Sequence, residues 1–246
     1  MKLGVALYET YEGHRLGGLE FCLHEGNLAT RADVARRLRP YCDVLSAHLP
    51  SYLVADDVAR EIEFNRDDGL VDYFVAHVTM RSKPGSPDWR GTWTQYVQHG
   101  QRVLFENHNQ NTHPTDAGMV EAWEFLPIVQ AGHSICLDVG HILYDASLKA
   151  SGDLHRWIDL AEASFERFLP LPIEAVHVHT VALGGPDHVL AGFDIGPWLR
   201  RIRNRHPDVT FLVEIMDPTI TNEMKLRALN DWLGSQTSNE PHKGHT

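Results

Sequence analysis

Val176-His177-Val178-His179-Thr180, with the loop Gly184-Gly185-Pro186-Asp187-His188 behind it, is the stretch on which the fold turns. Two histidines at i and i+2 on an apolar strand point to the same face, because strand side chains alternate with period two. A packed core normally carries Val or Leu there. Burying two imidazoles without partners is costly, so the face they share calls for partners from other strands. Working outward, seven more apolar runs of similar length recur: Leu3 to Tyr8, Gly18 to His24, Val44 to Pro50, Tyr73 to Met80, Val103 to His108, Ser134 to His141 and Thr210 to Met216, with Glu174 to Thr180 as the seventh strand of the eight. Helical spacing follows most of them, at Arg31 to Leu38, Ala55 to Phe64, Trp89 to His99, Ala117 to Val129, Leu154 to Phe168, Ile195 to Arg205 and Asn222 to Leu233. Strand-helix alternation repeated eight times predicts a (β/α)8 TIM barrel, an α/β fold with a closed parallel sheet. The first connection, Glu9 to Gly17, is too short for a helix and is the weakest joint in that pattern. No linker or internal repeat interrupts the chain, so a single barrel domain is expected over 1–233, with a disordered polar tail over 234–246.

In such a barrel the reactive groups gather at the C-terminal strand ends. Those ends carry His48 on the third strand, His77 on the fourth, Glu106 with Asn107 and His108 on the fifth, Asp138 and then His141 on the sixth, His179 on the seventh and Glu214 on the eighth. Each carboxylate interrupts an apolar run, as in Val103-Leu104-Phe105-Glu106 and Phe211-Leu212-Val213-Glu214. An ionised carboxylate in a barrel interior must be paired or metal-bound, and these strands offer no obvious Arg or Lys. Glu106, Asp138, His179 and Glu214 together therefore point to a divalent metal (Mn, Mg, Co or Zn), against a purely structural hydrogen-bond network. His141 is expected in the site as a ligand or a substrate contact. His48 and His77, matched on adjacent strands, are read equally as core or site, and so are Asp187 and His188, whose alternative is a capped turn. His177, one pleat deeper than His179, is left open between a core histidine and a functional one. Glu20 and His24 share a face of strand two and rank lower; His108 and His113 are lining residues or plain surface. Cys136 reads as a buried inert thiol below Asp138. Trp89 and Trp93 read as outer-helix packing before a stacking wall.

Composition sets the outer limits. The 246 residues are 43% hydrophobic and 22% charged, ordinary for a globular protein with a sizeable core. No apolar run approaches the roughly 18 residues of a membrane span, and the start runs straight into a strand, so no membrane association and a cytoplasmic location are expected. Three scattered cysteines argue against a disulfide framework. A formal charge of -11 weighs against a nucleic-acid partner, and the clusters Arg36-Arg37-Arg39 and Arg200-Arg201-Arg203-Arg205 read as outer helix faces. There is no nucleophile elbow, phosphate-binding loop or dinucleotide fingerprint. A small-molecule substrate is expected, with a homo-oligomer left open.

The order Phe105-Glu106-Asn107-His108, Leu137-Asp138-Val139-Gly140-His141, Val176-His177-Val178-His179, Asp187-His188 through Asp194-Ile195, and Val213-Glu214-Ile215 resembles the xylose isomerase-like TIM barrel superfamily, which holds sugar isomerases and epimerases with AP endonuclease IV-type enzymes. The resemblance runs to about Leu233. It implies that Glu106, Asp138, His179 and Glu214 hold one divalent cation, that Glu106 and Glu214 exchange a proton through an enediolate, and that His141 contacts substrate. In the endonuclease-type members it implies two or three Zn, held also by His48, His77, His141, Asp187 and His188, and hence a phosphoester hydrolase acting on a small molecule, as in cobamide remodelling. The adjacent Asp187-His188 departs from that loop's Asp-x-His spacing, and Gly185 stands where ketose 3-epimerases place an Arg. A binding protein on the same barrel is the non-enzymatic alternative.

Overall fold

A computed structural model of the chain describes residues 1–7, 11–23, 30–49, 69–78, 101–107, 121–185, 188–215 and 217–234. Eight parallel strands close in sequence order: β1 (Lys2–Leu7), β2 (Leu16–Cys22), β3 (Cys42–His48), β4 (Tyr73–Val78), β5 (Val103–Asn107), β6 (Ile135–Asp138), β7 (Ile173–Val178) and β8 (Thr210–Val213), with β8 pairing back onto β1. The described helices are α1 (Arg31–Leu38), α2 (Leu126–Gln130), α3 (Val139–Ala150), α4 (Leu154–Phe168), α5 (Gly196–Arg205) and α6 (Asn222–Gly234). The continuous apolar runs have a simple cause: each strand is buried on both sides, by the barrel interior and by the helices.

Outward strand residues such as Phe21, Leu45, Phe74, Phe105, Leu137, Val176 and Phe211 join helix residues such as Val34, Leu38, Ile142, Trp157, Trp198 and Leu229 in one cluster. Phe165 of α4 stacks on Trp198 of α5 with ring centroids 4.5 Å apart. The arginines of α5 tie neighbouring helices together. Arg200 donates to the Trp232 carbonyl at 2.7 Å, and Arg201 to Glu166 at 2.6 Å. Inward residues Val44, Tyr73, Val75, Leu104, Cys136 and Ala175 form a separate apolar layer low in the barrel.

The short first connection is compatible with closure, since Gly4 to Leu7 pair in parallel with Gly18 to Phe21. A six-residue strand rises about 20 Å, and a connection of about eight residues is long enough to return over that distance. Tyr11 anchors the return by burying itself edge-on against Tyr41.

Strand six ends earlier than its sequence suggests. The expected run Ser134 to His141 is a strand only over Ile135–Asp138, and the chain then enters α3, a helix the periodicity did not separate from the strand. Asp138 is the N-cap: its carboxylate accepts the His141 N–H at 2.7 Å, satisfying a donor that the first helical turn leaves open. Ser151 and Gly152, both at positive φ, turn the chain between α3 and α4. Of the helix expected over Ala117 to Val129, the described part is a 3-10 turn at Ala122–Phe125 followed by α2. The helices expected over 55–64 and 89–99, and the tail beyond Gly234, lie outside the described residues.

Candidate metal centre

Above the apolar layer the same inward positions change chemistry. Glu20 on β2, Ser46 and His48 on β3, His77 on β4, Glu106 on β5, Asp138 on β6, His177 on β7 and Glu214 just past β8 converge at the C-terminal side of the barrel. Register explains the convergence: His77 lies beside Glu106, Asp138 beside His177, and Cys22 beside His48. Glu20, Glu106, Asp138 and His177 are fully buried, while Glu214 is 9% exposed and faces the mouth.

Glu106 is the hub. Its Oε2 lies 2.8 Å from His48 Nε2, 3.4 Å from His77 Nε2 and 3.4 Å from His177 Nδ1, and its Oε1 lies 3.4 Å from His141 Nδ1. Glu214 Oε2 is 3.0 Å from His177 Nδ1. Asn107 clamps the next corner: it accepts the Asp138 N–H at 2.7 Å and donates to the Asp138 carbonyl at 2.8 Å. His141, in the first turn of α3, has Nδ1 at 2.8 Å from the Asn107 carbonyl. His179 sits one layer above His177, with Nε2 3.1 Å from Asp138 and Nδ1 accepting the His188 N–H at 3.1 Å. The imidazoles of His179 and His188 stack 3.9 Å apart, with His188 held at φ 54. Gly140 makes room for this arrangement, because a Cβ there would stand 2.0 Å from the His179 ring.

Burial disfavours every charge in this cluster, and mutual pairing overrides it. Burial pulls the His48 pKa down, but the Glu106 carboxylate brings it up to about 9. His177 is likewise driven down by burial and held well above its ordinary value by Cys136 and the surrounding carboxylates. His77 shows burial winning, with its pKa lowered. Burial pushes up the carboxyl pKa of both Glu106 and Glu214, yet the neighbouring histidines, His77 and His177 for Glu106 and His177 for Glu214, hold them well below the usual range. Both are therefore ionised at neutral pH.

The donor set fits a divalent cation. One ligand atom each from Glu106, Asp138, His177 and Glu214 falls within 4.8 Å of the others. Glu106 Oε1, Glu214 Oε2 and both nitrogens of His177 are buried and make no hydrogen bond. His177 Nε2 faces Glu20, while its Nδ1 faces Glu106 and Glu214, and three carboxylates with one imidazole suit Mn, Mg, Co or Zn. Three further groups meet the same distance criterion: His48, His77 and Glu106; Glu20, His48 and His177; and His141, His179 and His188.

Of the residues singled out from sequence, the structure therefore gathers Glu106, Asp138, Glu214, His48, His77, His141, His179 and His188 at one end of the barrel. Asp187, His24, His108, His113, Trp89 and Trp93 lie outside the described residues. His177 and Glu20 are closer to the centre of the cluster than their sequence ranking implied; the available signal was their inward parity on apolar strands.

No protein-family model and no curated protein matches the chain. Solved structures do. A D-tagatose 3-epimerase-like protein superposes with a TM-score of 0.64 at 17% identity, covering 95% of this chain and 97% of that one. An L-ribulose 3-epimerase gives 0.55 at 11% identity, over 94% and 86%. The fold they share with this chain is the closed (β/α)8 barrel. The TTHB071 protein from Thermus thermophilus, in a structure soaked with ZnCl2, gives 0.53 at 18% identity, over 93% and 90%. At these identities the likeness is one of fold, and the chemistry of this barrel has to be argued from its own side chains. Among the described residues no helix is long and apolar enough to cross a membrane.

Proposed function

We propose that the chain is a divalent-metal-dependent enzyme of the sugar isomerase or epimerase type, acting on a small polyhydroxylated substrate. The observation that carries this is the pair of ionised carboxylates, Glu106 and Glu214, set with Asp138 and a β7 histidine around one point at the barrel mouth. The names of the two 3-epimerase-type neighbours agree with it. Glu106, Asp138, Glu214 and that histidine would hold the cation. When bound, it supplies positive charge to substrate oxygens beside the carbon that loses its proton. Glu214, at the open side, would take the proton from that carbon; Glu106, receiving a proton from the protonated His48 at 2.8 Å, would deliver one to the opposite face and invert the centre, after which the proton on Glu214 returns to solvent and His48 is reprotonated. His141, fixed by the Asn107 carbonyl, is placed to bind a substrate hydroxyl. The walls below are apolar and closed, which keeps water from reprotonating the carbon at random. On this reading the protein works in the cytoplasm, where its three free cysteines stay reduced.

A second reading, a zinc-dependent phosphoester hydrolase of a small molecule, draws support from the additional groups His48, His77 and Glu106 and His141, His179 and His188. Metal stoichiometry separates the two. One equivalent of Mn, Co or Mg, with ketose interconversion and solvent deuterium entering at carbon, supports the epimerase. Two or three equivalents of Zn, with cleavage of bis(p-nitrophenyl) phosphate, support the hydrolase. Metal content unchanged in both Asp138→Ala and Glu214→Ala removes both readings.

A further inference from the structure

Helix α6 repeats its core-facing position every fourth residue, and the first member of that stripe is a lysine. Lys225, Leu229 and Leu233 are buried, while Glu223, Met224, Arg227 and Asn230 on the other faces are exposed. Lys225 is only 5% exposed. An apolar side chain would fill this position at no cost in solvation, and lysine is among the residues least often buried without a partner.

The charged end of the side chain is directed to the barrel mouth. Lys225 lies in the first turns of α6, and helical side chains lean back toward the helix N-terminus. The helix follows β8 in the chain and packs on β1 and β8. The charges that Lys225 feels are Asp217, Cys22 at the end of β2 and Glu214 just past β8, so it stands beside the cluster on the β8–β1–β2 side of the mouth. Neither carboxylate pairs with it. Asp217 accepts both the N–H and the hydroxyl of Thr219 on one oxygen, at 2.8 and 2.7 Å, and Glu214 faces His177 Nδ1 at 3.0 Å. Burial keeps the Lys225 pKa below its ordinary value against the pull of both. The ammonium keeps contact with solvent, unlike the sealed oxygens of Glu106 and Glu214.

We propose that Lys225 binds an anionic group at the end of the substrate remote from the cation, so that the ketose this chain acts on carries a terminal phosphate or carboxylate. The proposal rests on the isomerase or epimerase reading and adds the class of substrate to it. A mouth lined by Glu106, Asp138 and Glu214 repels an anionic ligand, and one unpaired ammonium at its rim orients that ligand. The charged end is held on the β8–β1–β2 side, which leaves the hydroxyl-bearing carbons over Glu106 and Glu214. A charge-assisted hydrogen bond from Lys225 then replaces the hydration that burial removes. Lys225 needs no contact with the reacting carbon, so its role is specificity rather than proton transfer.

The test uses the full chain loaded with Mn and three ketoses that differ only at the terminal carbon: D-fructose, D-fructose 6-phosphate and D-fructuronate. Calorimetric titration compares wild type with Lys225→Met, which keeps the stem and removes the charge. Wild type is expected to prefer one anionic ketose over D-fructose, the phosphate or the carboxylate according to which group the site takes. Lys225→Met is expected to lose about 10–100-fold for that ketose, the size of a hydrogen bond to a charged group, with D-fructose affinity and metal content within a few-fold of wild type. No preference in wild type overturns the inference, as does a preference that survives Lys225→Met. If Lys225→Met does not fold, acetylation of wild type mapped by peptide mass spectrometry decides alone: an anionic ketose is expected to protect Lys225 and leave Lys2 and Lys149 reactive, and lack of protection overturns the inference. Deuterium exchange from solvent into the ketose separates this result from the reading beneath it. Exchange with no gain from a terminal anion leaves the isomerase standing and removes the anion site, whereas anion binding through Lys225 without exchange removes the isomerase and leaves the anion site.

Discussion

The lower and upper layers of the barrel interior are built from the same strands with the same inward parity, one pleat apart, and their chemistry is opposite. Leu104 lies directly below Glu106, Cys136 below Asp138, and Ala175 below His177. Apart from the buried Tyr73 hydroxyl, every residue of the lower layer is apolar or a thiol, and all are nearly inaccessible. The upper layer places four carboxylates, Glu20, Glu106, Asp138 and Glu214, in an equally dry space. Burial stabilises the first layer directly. In the second it opposes folding, and the opposition is met by histidines held protonated against the carboxylates. The barrel thus separates its tasks along the strand axis, with stability below and the proposed cation site above.

The sharpest way to break this separation is to truncate one residue in each layer. Asp138→Ala removes a proposed ligand and the N-cap of α3, and metal affinity is expected to fall sharply, with a stability loss of about 1 kcal/mol from the cap. Leu104→Ala should do the reverse. It is expected to cost about 2–5 kcal/mol in denaturant unfolding of the metal-free protein, with metal affinity within a few-fold of wild type below its unfolding midpoint. Equal effects of both substitutions on metal affinity would show that the layers are one cooperative unit.

The same contrast explains what was legible in the sequence. Strand positions and the inward face could be read, because an apolar run interrupted by Glu106 or Glu214 at the right parity has no cheap structural alternative. Helix α3 could not be separated from β6, since Ile135 to Leu143 is apolar enough on both periods and only Asp138 marks the change. The place of His177 at the centre of the cluster was also out of reach. It depends on the register that sets His177 beside Asp138 and on Glu20, a residue more than 150 positions away that has no local motif.

A second effect, smaller than the first, concerns protons in the metal-free state. His48 has an ordinary pKa of 6.5 when unfolded and about 9 when folded beside Glu106. Its contribution to stability is therefore complete below about pH 6.5 and lost as pH rises through 9, an amount of roughly 3 kcal/mol. His177, raised in the same sense, adds to the loss. Urea unfolding of wild type and His48→Gln, compared at pH 6 and pH 10 after chelation, is expected to show the stability difference shrinking toward alkaline pH. A constant difference would mean that His48 is neutral in the folded apoprotein, and the balance of charges in the upper layer would have to be redrawn without it.

The smallest expected effect probes the boundary between the layers. Cys136 sits beneath Asp138 with no exposed surface, and burial pushes its thiol up to about 12. Cys22, at the mouth end of β2, is only partly covered, though burial and the neighbouring Glu214 and Glu20 raise its thiol pKa as well, so packing is what separates the two. The thiolate is the nucleophile, so a raised pKa and a closed packing both slow alkylation. Iodoacetamide at pH 8 is expected to modify Cys22 first and Cys136 only as fast as the whole barrel opens, as followed by mass spectrometry of the intact protein and its peptides. Adding Zn should then slow Cys136 further, because a cation bound to the folded state lowers the population of the open one. Labelling of Cys136 that outpaces global unfolding would show that the floor of the site opens on its own, and that the apolar layer does not seal the carboxylates from below.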